Sequence, residues 1–319
     1  MNRSLISIAL GLLLCALLAG GAQARIWYVP SQVPTVPQAL DMAGPGDEIA
    51  VAVGTHRITG DGHRIPAGVT IRTDTGMPGG VIFEEHPDYW GDWRDEPVFV
   101  VNSILGPSAE VRIEGITFRD FTNTFGPNQF VGAPIIGVAH GKLVMEDCVF
   151  KNYNGTAVKF AGGSGTIERC SFLQGRGQPA AVQFAGKQLD LNDCVYRELT
   201  QRFPGDAVQG GSRPAPGSIL KLISGETNFD CGTFEDNGPV TYLIDVGLNA
   251  QLIACQTCIG TNHATWQGHV AGYAKLTCCA VTPTSWDVEE GGTFILVDNG
   301  GPAAKSRDTS LSHIRSLFE

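Results

Sequence analysis

Apolar and polar residues alternate along this chain in short bursts, and one burst recurs. It reads Leu143-Val-Met-Glu-Asp-Cys148-Val-Phe150, then Gly165-Thr-Ile-Glu-Arg-Cys170-Ser-Phe172, then Leu189-Asp-Leu-Asn-Asp-Cys194-Val-Tyr196. An earlier copy runs from Val111 to Phe118, and later copies begin at Thr227, Ala250 and Ala274. Aligned on the sixth residue, the copies fall at Ile116, Cys148, Cys170, Cys194, Gly232, Cys255 and Cys279. Four of the six steps are 22 to 24 residues, and the other two, 32 and 38, carry insertions. Each burst holds two alternating runs, such as Leu143/Met145 and Cys148/Phe150, separated by a two-residue corner. A third run lies about ten residues upstream, as Ile136-Gly-Val138, Val158-Lys-Phe160, Val182-Gln-Phe184 and Leu220-Lys-Leu222. Three strands per repeat predict an all-β, three-sided solenoid: a parallel β-helix with neighbouring strands about 4.8 Å apart. A leucine-rich horseshoe lacks its consensus here, and a propeller needs a longer repeat.

A solenoid must cover its ends. Thr35-Val-Pro-Gln38 has the form of a capping box, with Pro37 in the first turn and Gly44 beyond the last, predicting a short capping helix to about Ala43. Strands are expected at Ile49–Val53, Val69–Arg72 and Val81–Phe83, and a last one at Phe294–Val297. Residues 1–24 read as a secretory signal: Arg3, an apolar run from Ile6 to Leu18, then Ala22-Gln-Ala24 as the cleavage pattern. The domain is expected over 25–300. A tail over 301–319 follows, in which Asp308 to Phe318 has the spacing of an amphipathic helix. No later segment is long and apolar enough to span a membrane, so the chain is expected outside the cytoplasm, periplasmic or extracellular.

Composition narrows this further. With 41 glycines and 17% charged residues, a long-helix bundle is excluded; with 43% apolar residues, so is disorder. A net charge of −10 argues against a nucleic-acid partner.

The stretch from Tyr28-Val-Pro through Thr35-Val-Pro-Gln-Ala-Leu to Gly44-Pro-Gly-Asp47, with Gly54-Thr and Gly68-Val-Thr-Ile-Arg72, resembles the opening of pectin-lyase-like proteins. The later bursts are similar to the right-handed β-helix repeat of secreted bacterial proteins. The resemblance covers about residues 26 to 300 and implies a right-handed parallel β-helix. It does not choose an activity, because such proteins include lyases, hydrolases, esterases and non-catalytic surface proteins. The chain has no paired-Asp and Gly-His-Gly set, no Leu-Gly-Arg-Pro-Trp segment and no Arg-x-Pro-x-x-Arg phrase, so no catalytic residue is carried over.

The candidate site comes from strand parity. One residue per coil faces out between the inward residues of the upstream run: Gly137, Lys159, Gln183, Lys221, Asp245 and His269. The resemblance implies a substrate groove along that strand, walled by long loops; insertions at Arg119–Pro134 and Thr200–Gly217 fall there, the second carrying Arg202 and Arg213. Lys159, Lys221 and His269 are the catalytic candidates. A lyase needs a base beside a uronate carboxylate and cations to neutralise it. Gln183, Asp245, Arg202 and Arg213 are expected to hold the sugar. In the aperiodic stretch Glu84–Glu96, Trp90 and Trp93 can stack on sugar rings. Its Asp88, Asp92, Asp95 and Glu96 offer the oxygens calcium takes, without a calcium-loop spacing. No organic cofactor is identified. The partner is then a polysaccharide or cell-surface glycan, bound and, on the enzyme reading, cleaved. The competing class is a non-catalytic surface or adhesion protein.

Eight cysteines follow the signal. Cys148, Cys170, Cys194, Cys255 and Cys279 are expected to line the interior one coil apart. Disulfides among Cys231, Cys255, Cys258, Cys278 and Cys279 remain open, as does a zinc site, though Cys278-Cys279 has the wrong spacing for one.

Overall fold

The computed structural model describes residues 24–60, 62–86, 96–102, 110–122, 133–177, 181–200, 217–260, 262–279 and 285–297. The signal, the C-terminal helix, Trp90, Trp93, Asp88, Asp92, Asp95, Arg202 and Arg213 lie outside these residues.

Every strand pairing is parallel, and the strands fall on three faces. The first face stacks His63–Ile65, Phe99–Asn102, Ile136–His140 and Val158–Phe160, then the opening halves of Val182–Asn192, Ser218–Asp230 and Val240–Cys255, then Ala264–Val270 and Trp286–Val288. The second stacks Ile26–Val29, Glu48–Val51, Thr70–Thr73, Glu110–Glu114, Lys142–Glu146 and Ser164–Glu168, the closing halves of the three long strands, then Tyr273–Thr277 and Thr293–Val297. The third runs from Gly54–Ile58 to Cys258–Ile259 through Val81–Glu85, Ile116–Arg119, Val149–Asn154, Ser171–Arg176, Val195–Arg197 and Thr233–Glu235. The long strands turn the first corner with register shifts, which joins two faces into one sheet. This is the parallel β-helix that the period predicts, of the right-handed kind that the resemblance implies.

The second corner is set by one left-handed residue per coil: Asp147, Arg169, Asp193, Cys231, Gln256 and Cys278, all with φ of 51–53°. The residue after each turns inward, because the corner reverses the side on which the next side chain falls. Cys148, Cys170 and Cys194 occupy that place and are fully buried free thiols. Burial pushes the Cys194 thiol up to about 12 and the Cys170 thiol well above the usual thiol range.

Cys255 departs from the expected interior ladder. It pairs in register with Asp230 and Thr277 on the outer side of the second face and is half-buried. Thr257, two residues on, takes the interior place and is 1% exposed. The inward place demands a small side chain rather than a cysteine, so aligning on cysteine misplaces this coil by two residues. All eight described cysteines are unbridged, and no group of three or more metal-ligating side chains among the described residues can hold a metal.

Two residues further in, the third face points an aromatic inward in six successive coils, from Phe83 to Phe234, with Ile259 in the next. Phe118 stacks on Phe150 at 4.7 Å, Phe150 on Phe172 at 5.2 Å, Phe172 on Tyr196 at 5.1 Å and Tyr196 on Phe234 at 4.8 Å. The parallel register forces this arrangement, because identical places in successive coils sit one strand spacing apart.

The N-terminal end is plugged by the helix Val36–Met42, one residue shorter than expected. The Thr35 hydroxyl accepts from the Gln38 amide at 3.3 Å, and Val36, Ala39 and Leu40 are buried against the first coil. Asp47 ties the plug down by accepting from the Gly44 and Arg25 amides and the Trp27 indole at 2.9, 2.9 and 3.0 Å. These bonds, that of Gly44 foremost, hold its carboxyl below the usual range. At the far end Trp286 stacks on Phe294 at 4.8 Å. Gly268 leaves room for the indole there: a Cβ would lie 2.2 Å from Trp286 Cζ3.

Candidate functional site

The outward column is continuous in register. Gly137 pairs with Lys159, Lys159 with Gln183, Gln183 with Lys221, Lys221 with Asp245, Asp245 with His269, and His269 with Asp287. Gly137 differs from its neighbours: it is buried beneath Pro97, whose ring occupies the space a Cβ would need. Below Gly137 the column continues through the half-buried Val100 to the exposed Arg64; above it the open run from Lys159 to Asp287 spans five steps, roughly 24 Å.

The two ends of that run differ in charge. Lys159 and Gln183 are half-buried, and Lys159 has no ion-pair partner among the described residues. Lys221 stands 3.9 Å from the Asp245 carboxylate, too far for a hydrogen bond. From Asp245 onward the side chains are tied to one another. His269 Nδ1 lies 2.8 Å from Asp245 Oδ1, and its Nε2 lies 3.1 Å from Glu289 Oε1. Both partners are carboxylates that only accept, so the ring satisfies both when it carries both protons. Burial works against that charge, but the bond and charge of Asp245, then of Glu289, outweigh it and raise the His269 pKa. The ring is thus held toward imidazolium and acts as a cationic donor rather than a free base. Tyr242 lies beside it, ring centres 5.0 Å apart, and its hydroxyl donates to Asp287 at 3.4 Å. Burial first, then Asp287, pushes that phenol up, keeping it a neutral donor. Trp266 pairs in register with Tyr242 and is 37% exposed.

Parity brings Lys159, Gln183, Lys221, Asp245 and His269 together, as the alternation predicts. It does not reveal Tyr242, Trp266 or Glu289. Asp287 was readable as the next outward residue after His269, at the centre of Trp286-Asp-Val288. Tyr242 sits before an irregular pair of buried residues, Leu243 and Ile244, where alternation breaks. Glu289 follows the end of its strand, so no period points to it.

No protein-family model matches the chain, and no curated protein matches it in sequence. Among solved structures the chain is similar to the pectin methylesterase of Aspergillus niger, in deglycosylated and penultimately deglycosylated forms. TM-scores are 0.50 and 0.51 at 14% identity, over 90% of this chain and 88% and 89% of that one. Pectate lyase Pel9A matches with a TM-score of 0.48 at 15% identity, over 90% of this chain and 82% of that one. At such identities the likeness is one of fold alone, a parallel β-helix. Among the described residues no helix is long and apolar enough to cross a membrane.

Proposed function

We propose that this protein is exported and binds an acidic polysaccharide along the outside of its first face. The observation that carries the reading is Lys159: a half-buried ammonium with no ion-pair partner among the described residues, in a column with Gln183 and Lys221. Lys159 and Lys221 are two coils apart, roughly 10 Å, so each can meet a different carboxylate of one uronate chain. Gln183 between them offers a donor and an acceptor to sugar hydroxyls. The enzyme fold neighbours support a carbohydrate ligand without choosing a reaction.

Binding is favoured over cleavage because the titratable ring in the column, His269, is engaged by two carboxylates. Elimination next to a uronate carboxylate needs a base free to take a proton. The test uses purified full chain with polygalacturonate. Lys159→Ala with Lys221→Ala should weaken binding by about one to two orders of magnitude, with the loss largest at low salt. Unchanged binding would remove this face as the site, and growth of unsaturated-sugar absorbance would replace the binding reading with a lyase. For export, mass spectrometry of secreted protein should find Arg25 as the first residue.

A further inference from the structure

We propose that the end of the first face around Trp266, Tyr242 and Asp287 is a subsite for a sugar without a carboxylate, so that the preferred ligand is a polymer alternating uronate and neutral residues. The inference rests on the acidic-polysaccharide reading above and sharpens it.

The argument starts from charge. Past Lys221 the face presents Asp245, Asp287 and Glu289, with the His269 ring between Asp245 and Glu289. The Glu289 side chain is 59% exposed. Three carboxylates against the ring cation and Lys221, which stands 3.9 Å from Asp245, leave this end negative and repel a further uronate, and Lys221 is the last amine in the column. Neutral sugar hydroxyls suit the same carboxylates, because a hydroxyl donating to an ionised acceptor makes a short, strong bond.

Shape agrees with charge. Trp266 is a large apolar side chain left 37% exposed one coil beyond Tyr242, on a strand whose neighbours Gly268 and Val270 are buried. It lies on the side of the His269 column that Tyr242 already occupies, since Tyr242 and Trp266 are register partners just as Asp245 and His269 are. An exposed indole offers an apolar plane to the C–H face of a pyranose ring, which a uronate shares with a neutral sugar. The surrounding carboxylates then select the neutral one. The face is therefore divided: ammonium groups at Lys159 and Lys221 for acid residues, and an indole with carboxylates for a neutral residue.

The experiment compares full-length protein on polygalacturonate and on hyaluronan, in which glucuronate alternates with N-acetylglucosamine. The wild type should prefer the alternating polymer by about tenfold per site. Trp266→Ala should bring that ratio close to one, and Trp266→Tyr should keep it. A wild-type ratio near one overturns the subsite, and so does a ratio that survives Trp266→Ala. Binding of neither polymer overturns the acidic-polysaccharide reading itself, and this inference with it.

Discussion

Two outer faces of one solenoid handle the same residue types in opposite ways. On the second face the cations of the N-terminal and middle coils are neutralised in place. Arg112 lies 2.7 Å from Glu110 and 3.5 Å from Glu114 and also meets Glu146; Lys142 lies 2.8 Å from Glu110; Arg169 lies 2.8 Å from Asp147 and 3.3 Å from Glu146. On the first face, in coils of the same height, Lys159 lacks such a partner among the described residues, although it is half-buried. The strand pairing is the same, so the fold does not impose the difference. What differs is the set of neighbours: on the second face Glu110 lies in register with Lys142 and Glu110 and Glu114 flank Arg112 along its own strand, whereas Lys159 on the first has glycine and glutamine in register. A cation surrounded by its own carboxylates is finished as a surface, whereas an unmatched one retains its attraction for an outside anion.

The strongest way to break both faces at once is to remove what they share. Phe172 sits between Phe150 and Tyr196 in the aromatic stack, and the backbone of every face hangs on that interior. Phe172→Ala should cost about 3–5 kcal/mol, read as a lower denaturation midpoint, by leaving a ring-sized cavity that parallel strands cannot collapse to fill. A loss under about 1 kcal/mol would mean that the stack is ornamental packing.

The next test separates the faces. Arg112→Ala with Lys142→Ala removes two cations from the second face, the same charge change as the Lys159/Lys221 pair on the first. The second-face pair should leave polygalacturonate affinity within about twofold and lower stability by about 1 kcal/mol, since these half-buried pairs are still partly screened by solvent. Equal losses of affinity from both pairs would show that net charge, not the column, attracts the polymer.

How much of this was legible follows from the physics of each signal. Period-two alternation fixed Lys159, Gln183, Lys221, Asp245 and His269 on one column, because a slip of one residue would bury two lysines and an aspartate. The Thr35 cap was legible because it depends on four adjacent residues. Cys255 was misread because a corner constrains side-chain size, and Thr257 meets that need as well as cysteine does. The burial of Gly137 was hidden because Pro97 reaches it from a different coil. The His269 network was half hidden for the same reason. Asp245 shares the column, but Glu289 and Tyr242 arrive from off the alternation.

The smallest effect concerns His269 and shows which protonation state the first face is built around. The groups facing the ring are Asp245, Glu289 and Tyr242, with Asp287 bonded to that tyrosine and Lys221 on the far side of Asp245. The folded protein raises the His269 pKa above its ordinary 6.5. A raised histidine adds stability that is complete below its unfolded pKa and disappears as pH rises through the folded one. The wild type should therefore lose a little stability as pH rises above about 6.5, where an ordinary histidine has discharged and this ring still holds its proton. His269→Gln keeps a donor and an acceptor but cannot titrate, so its denaturation midpoint should change less over the same range. Arg112 on the second face stays charged throughout, so Arg112→Ala should leave the pH slope as it is. If His269→Gln follows the wild-type slope, the ring is neutral in the fold. Its contact with one of the two carboxylates would then have to go through water, and the acidic end of the first face would carry one more negative charge than its geometry allows for.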